Sequence, residues 1–358
     1  MKGVAMASIR KRESGNYQVR YRDRAGREHA QGFKKKAHAD RFKHEVEHDL
    51  DRGDWVDPKA GQVTLAAWVD EAWQLARPVS QRTGSDRRAR MVNHVLPVFG
   101  VMPLVRIDRS DVQKWVNSLT ERGYAPATVK KVFETLSAPV QIAVNYGLLS
   151  QSPCAGIELP PIPRTEMRFL VPDEVVRLSK AITPHFELLV LFAAETGLRV
   201  GEIAGLQGGD YQPGTLTINV KRQLLKDTTP PTFGDPKTWA GIRSLTLSPP
   251  LAARIQNLGA VGDSPVFTRP DGGLLDVSNF RSRHFYPAVK AAGLGHVRIH
   301  DLRHTAVSAW IQAGASIKHV TERAGIASVT VAFDRYGHLY PNEDRQLADR
   351  LAHIGLYQ

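Results

Sequence analysis

The apolar spacing changes period twice along the chain. In YQVRYR (17–22), Tyr17, Val19 and Tyr21 alternate with Gln18, Arg20 and Arg22. That is the two-residue period of a strand with one packed aromatic face and one cationic face. SIRKRE before it and GREHAQGF after it read as further strands, separated by SGN and DRAG turns. Residues 35–52 then carry Ala37, Phe42, Val46 and Leu50 at helical spacing. The predicted module over 1–60 is a small three-stranded sheet plus one helix.

The period is helical from 62 to 152. Thr64 is placed to cap LAAWVDEAWQLA, whose Leu65, Trp68, Val69 and Trp73 form one stripe. Asp108 to Asp111 opens a helix that ends at Gly123, and Pro126 opens another that ends at Gly147. The polar faces hold Arg82, Arg87, Arg88, Arg90, Lys130 and Lys131. Residues 153–169 include Pro153, Pro160, Pro161 and Pro163, so no helix continues through them and they read as an extended linker.

The last segment, 170–358, mixes periods. Pro172-Asp-Glu opens a helix, and 185–206 reads as one buried helix. TLTINV and IRSLTL read as strands, with KTWAG turning into the second. SNFRSRHFYPAVKAAGL, HDLRHTAVSAWIQAG and SIKHVTERAG read as helices. The fold class is therefore multidomain α+β: a sheet-and-helix module, an all-α helical module, and a mainly α domain with a small antiparallel sheet.

Composition narrows what such a chain does. Its 358 residues are 42% hydrophobic and 23% charged, enough to build cores. Cys154 is the one cysteine, which excludes an intrachain disulfide and a multi-cysteine zinc site and fits a reducing compartment. The N-terminus has no long apolar run, so no signal peptide is expected, and LLVLFAA (188–194) is too short to cross a membrane. The net charge is +12, and residues 1–43 hold 13 Lys/Arg against 4 Asp/Glu. A basic block of that kind points to a polyanion, foremost nucleic acid. The candidate DNA contacts are Arg20, Arg22, Lys34, Lys35, Lys36, Arg87, Arg88, Lys130 and Lys131.

Charges inside apolar helices point further. Arg199 and Glu202 interrupt the buried run ETGLRVGEIAGL. A buried arginine is costly unless it is paired or faces a ligand. The pair reads either as a structural ion pair or as an arginine held by a carboxylate and aimed at a phosphate. HDLRHT (300–305) sets His300 and Arg303 three residues apart on one face. Its two histidines do not make a zinc motif, because the HExxH pattern needs a glutamate where Asp301 stands. Lys237 falls at the lip of a predicted hairpin, and Tyr336 lies in FDRYGHLY (333–340). Paired guanidinium forks match the nonbridging oxygens of a phosphodiester, and a phenol among cations can attack it. Neither a metal nor another cofactor is required.

In this order, TGLRVGE, a hairpin lysine, HDLRHT and the tyrosine of DRYGHL, the chain resembles the tyrosine recombinases, in particular three-domain phage-type integrases. The resemblance implies an arm-type DNA-binding domain at 1–60, a core-binding domain at 62–152 and a catalytic domain at 170–358. It implies that Arg199 and Arg303 clamp the scissile phosphate and that Glu202 supports the site. Lys237 would protonate the leaving 5′ oxygen, His300 would assist proton transfer at the phenol, and Tyr336 would form a 3′-phosphotyrosine. It further implies double-stranded DNA with core and arm sites, a homotetramer on DNA, and action in the cytoplasm of a bacterial host cell. An accessory DNA-bending protein is a further partner the family admits. The tail after Tyr336, with Leu347, Leu351 and Ile354 at helical spacing, would dock on a neighbouring protomer and order the assembly.

One position departs from the family pattern. Ile326 stands where a histidine or tryptophan usually donates to the phosphate, ten residues before the tyrosine. That departure supports one rival, a catalytically lapsed DNA-binding accessory protein; a second rival, a type IB topoisomerase-like enzyme, rests on its similar catalytic site. Loss of one such donor costs about 3 kcal/mol, by analogy with an oxyanion hole. Ile326→His is therefore expected to speed single-turnover DNA cleavage, and an unchanged or slower rate would refute that reading.

Overall fold

The computed structural model describes residues 7–23, 26–52, 55, 57, 60–163, 167–225, 231–236, 238–340 and 351. It divides into two compact units, 1–164 and 165–358.

The first unit contains two separate hydrophobic cores. Strands β1 (Ser8–Lys11), β2 (Tyr17–Arg22) and β3 (Glu28–Phe33) form an antiparallel meander, with Val19 opposite Ile9 on one side and Gln31 on the other. Helix α1 (Lys36–Arg52) buries Ala39, Val46 and Leu50 in the same core. Tyr21 is buried there, its ring 6.0 Å from Phe42 and 5.6 Å from Trp55. Arg20, Arg22 and Lys34 to Lys36 are exposed. Gln18 is not: it is buried and accepts hydrogen bonds from Arg12 and Arg20.

The second core is helical, from α2 (Leu65–Leu75), α3 (Gln81–Arg90), α4 (Leu96–Phe99), α5 (Arg109–Glu121) and α6 (Pro126–Asn145). Thr64 and Asp108 cap α2 and α5 as their sequence contexts predict. Helix α3 buries no residue, so QRTGSDRRAR has no apolar period to betray it; Ser80 caps it instead. Arg88, Lys130 and Lys131 are exposed and Arg87 is half-buried.

In the second unit, α7 (Pro172–Ala181) is followed by a break that the sequence pattern conceals. The single helix expected over 185–206 is two, α8 (Glu187–Thr196) and α9 (Val200–Ala204). Gly197 between them adopts φ +61°, the left-handed cap conformation, and its N–H donates to the carbonyl of Ala193. A Cβ there would lie 2.8 Å from the Trp310 ring. Hydrophobic spacing runs through this break because both helices bury into one core.

Strands β4 (Tyr211–Gln212) and β5 (Thr217–Val220) pair antiparallel. Strands β6 (Gln223–Leu225) and β7 (Thr232–Gly234) form a separate ribbon, and β8 (Arg243–Thr246) pairs with β5, setting Ile218 opposite Leu245. The two predicted strands are β5 and β8; the others are too short to show alternation. Helices α10 (Pro249–Gln256), α11 (Val277–Asn279), α12 (Tyr286–Ala291), α13 (Asp301–Gln312), α14 (Ile317–Ala324) and α15 (Val329–Tyr336) complete the unit. Helix α13 packs along α8, where the Trp310 indole donates to the carbonyl of Glu195 at 2.9 Å. Among the described residues no helix is long and apolar enough to cross a membrane.

Gly325, just after α14, has φ +61°, and a Cβ there would meet the carbonyl oxygen of Ala240 at 2.7 Å. Gly293 has φ +68° with nothing within 4 Å. Gly325→Ala is expected to destabilise the chain by about 1–3 kcal/mol, and by more than Gly293→Ala, in urea unfolding. Equal losses would show that the close approach is relieved at no cost.

Candidate active site

The break after α8 turns the chain so that Arg199 becomes the N-cap of α9. Glu202, three residues on, accepts the Arg199 N–H at 2.9 Å, which satisfies one of the donors a helix start leaves open. Its other oxygen accepts from the Arg199 guanidinium at 2.7 Å. A second guanidinium, Arg243 on β8, donates to Glu202 at 3.0 Å. Glu202 is 1% exposed. Burial alone would raise its pKa, but Arg243 and Arg199 outweigh it and hold the carboxyl below its ordinary range.

Arg303 comes from the first turn of α13 and is buried. It donates to the carbonyl of Gly197 at 2.8 Å and to that of Ala324. Arg199 also donates to Gly325 O at 3.2 Å, and Arg243 to Arg323 O at 2.8 Å. Three guanidiniums thus meet three successive carbonyls at the C-terminal end of α14. Those carbonyls lack helical partners and carry the negative end of the helix dipole. Burial, then the neighbouring Arg199 and Arg243, push the Arg303 pKa down to about 10, with Glu202 opposing. Its guanidinium remains charged at neutral pH. Three arginines around one carboxylate leave an excess of two positive charges, which suits an anion.

Tyr336 ends α15 and is fully buried. Its hydroxyl lies 2.8 Å from Nδ1 of His304, not against His300. Burial raises the phenol's pKa, and Arg303, Arg335 and Arg199 pull the other way without reversing it. The phenol is within the field of both predicted phosphate-binding arginines. His300 is the N-cap of α13, and its ring packs edge-on against His304 at 4.9 Å. Desolvation, followed by Arg303, Arg199 and Arg335, pushes the His300 pKa down to about 4. Desolvation and His300 do the same to His304. Both imidazoles are neutral at pH 7.

The structure therefore brings Arg199, Glu202, His300, Arg303 and Tyr336 into one unit, adjacent to a turn that carries Ile326. The half-buried Ile326 packs against the cluster containing Tyr336. Lys237 and the tail at 341–350 and 352–358 lie outside the described residues. Tyr340 is accounted for elsewhere: its hydroxyl donates to Ala315 O at 3.1 Å. Two site residues escaped the sequence reading. Arg243 is signalled only as a cation opening a short strand, and His304 only by directly following Arg303, at a spacing from His300 that suggests a metal ligand.

Residues 168–343 match the family model described as the phage integrase family. The chain carries a domain of the phage integrase family, the tyrosine recombinases. It is 27% identical over 361 residues to a putative prophage phiRv2 integrase of Mycobacterium tuberculosis, covering 97% of this chain and 95% of that protein. It is 26% identical over 275 residues to the ICEBs1 integrase of Bacillus subtilis, covering 72% and 74%. Among solved structures, the Tn1549 transposon integrase in complex with transposon right end DNA aligns at a TM-score of 0.70 and 19% identity, over 81% of this chain and all of that one. A lambda integrase tetramer bound to a Holliday junction aligns at 0.59 and 20% identity, over 96% and 98%. These likenesses establish the fold of a multidomain recombinase.

Glu202 links these parts, so its removal should be costly. Glu202→Ala leaves Arg243 and Arg199 without their carboxylate and is expected to cost about 3–5 kcal/mol in urea unfolding. The folded pKa of Glu202 lies below its ordinary 4.5. As pH falls the unfolded chain binds the proton first. Its contribution is thus present in full above about pH 4.5 and is lost as pH falls through the folded value. Glu202→Gln should flatten that part of the acid limb; an unchanged limb would remove Glu202 from it.

Proposed function

We propose that the chain is a site-specific DNA recombinase in which Tyr336 cleaves and rejoins strands, integrating or excising phage or mobile-element DNA. The observation that carries the residue assignment is the Tyr336 hydroxyl held beside His304 within the field of Arg303 and Arg199.

In this reading Arg199 and Arg303 keep the N–H groups not engaged by Glu202 and the carbonyls of Gly197, Ala324 and Gly325 for the nonbridging oxygens of the scissile phosphate. Guanidiniums fixed in advance by protein acceptors stabilise transition-state charge without reorganising. Tyr336 attacks phosphorus, the 5′ oxygen departs with a proton from Lys237, and a 3′-phosphotyrosine remains. The ester conserves the bond, so the reverse attack by a 5′ hydroxyl reseals DNA with no external energy source. Because Tyr336 is fully covered, its neighbours must part for phosphate to reach it. Glu202 fixes Arg199 and Arg243 and so acts as a positioning residue.

The exposed cations of the first unit supply the remaining contacts. Arg20, Arg22 and Lys34 to Lys36 would meet arm sites from residues 1–60, and Arg87, Arg88, Lys130 and Lys131 would meet core sites from residues 62–152. The related lambda integrase forms a tetramer on a Holliday junction; a homotetramer on two duplexes is proposed here too, in the cytoplasm of a bacterial host.

Covalent trapping tests the reading. The protein is mixed with nicked suicide DNA carrying candidate attachment sites, without added metal, and resolved on denaturing gels. An adduct is expected from wild type and Tyr340→Phe and is expected to vanish in Tyr336→Phe. Tight specific binding without an adduct would favour the lapsed accessory protein instead.

A further inference from the structure

We propose that His304 is the base that receives the Tyr336 proton, through the hydrogen bond already formed between Nδ1 and the phenol. This deepens the recombinase reading above and rests on it. The resemblance to the family assigned proton transfer to His300. The geometry favours its neighbour: His304 is buried, and its Nδ1 lies 2.8 Å from the reacting oxygen. A general base must be within hydrogen-bond reach of the proton it takes.

With the phenol donating, Nδ1 accepts and the imidazole proton sits on Nε2. As the phenol oxygen attacks phosphorus, its O–H bond breaks and the proton forms a bond to Nδ1. The oxygen–phosphorus bond forms, the bond to the 5′ oxygen breaks, and that oxygen is protonated by Lys237. His304 is left as imidazolium and returns the same proton to the phenolate on resealing. No oxidant, metal or further reactant enters.

The groups around His304 bear on its charge. His300 and Asp301 flank it on its own helix, Arg298 precedes that helix, and Arg335 and Tyr336 face it from α15. Asp301 opposes the depression but is bound to Arg298 at 2.7 Å. The imidazole is therefore neutral across pH 6–9 while the phenol stays protonated; with its pKa depressed to about 4, it takes the proton only as the oxygen–phosphorus bond forms and acidifies the phenol.

A histidine that only satisfies a buried hydroxyl would look the same in a static structure. Asparagine separates the two roles, because its amide oxygen can accept the phenol hydrogen bond but cannot take the proton. Single-turnover adduct formation on the suicide DNA is followed from pH 6 to 9 for wild type and His304→Asn, with attachment-site binding as the control for folding. If His304 is the base, the variant is slower by on the order of 10²–10⁴-fold at pH 7. Its rate relative to wild type then climbs roughly tenfold per pH unit, as the phenol must ionise unaided. A variant within a few-fold of wild type, or a pH-independent ratio, overturns the proposal. Imidazole added to His304→Ala gives an independent reading. Rescue that follows the neutral imidazole concentration supports the base role, and no rescue in a variant that still binds DNA counts against it. Wild type that forms no adduct would refute the recombinase reading itself, whereas a His304→Asn variant as fast as an active wild type refutes only the role of His304.

Discussion

The site depends on keeping three guanidiniums close together without letting them repel each other apart. Arg199, Arg243 and Arg303 converge on three successive carbonyls at the end of α14, and Glu202 is the carboxylate among them. Like charges at this spacing are tolerated only where fixed dipoles and a counter-charge compensate them. A helix C-terminus supplies the dipoles at no cost in reorganisation, since its last carbonyls lack internal partners. The compensation is incomplete. Burial, and after it Arg199, depress the pKa of Arg303, and the excess of positive charge is what a phosphodiester would neutralise.

Local backbone requirements follow from that convergence. Gly197 ends α8 early enough for Arg199 to cap α9, and its carbonyl accepts from Arg303. Gly325 ends α14 in the left-handed conformation, and its carbonyl accepts from Arg199. Both glycines face close neighbours that a Cβ would strike. Each therefore combines a positive φ with an approach that no other residue permits. The spent helix ends become the acceptors that orient the arginines, so helix termination and site construction are one feature of the fold.

The phenol and the two histidines show the opposite electrostatic strategy. Here burial keeps groups neutral: both imidazoles are depressed to about 4 and the phenol is raised. A neutral base against a neutral acid costs little to bury, since the pair satisfies its own hydrogen bond. In the proposed transfer, charge separation would appear only when the proton moves, beside arginines already in place. The arginines keep their charge and the phenol–imidazole pair stays neutral because different partners fix their charge states.

Much of this was legible in the chain itself. The alternation in YQVRYR gave a strand with exposed Arg20 and Arg22, and the stripe of Leu65, Trp68 and Val69 gave a capped helix. The charges of Arg199, Glu202 and Arg303 were conspicuous because they stood in apolar runs, where an unpaired charge is too costly to be incidental. What the chain could not display was proximity across long separations. The break at Gly197 was hidden because both flanking helices bury into one core, which preserves hydrophobic spacing across the turn. Arg243 looked like a strand cation until β8 set it against Glu202, 41 residues away. His304 looked redundant beside His300 until α15 brought Tyr336 to its Nδ1, 32 residues away. By itself the sequence determined which side chains could not be solvated bystanders, because burial cost depends on local composition. Only the tertiary structure decided which histidine meets the phenol and which carbonyls hold the arginines, because hydrogen bonds depend on distance and direction that no linear spacing encodes.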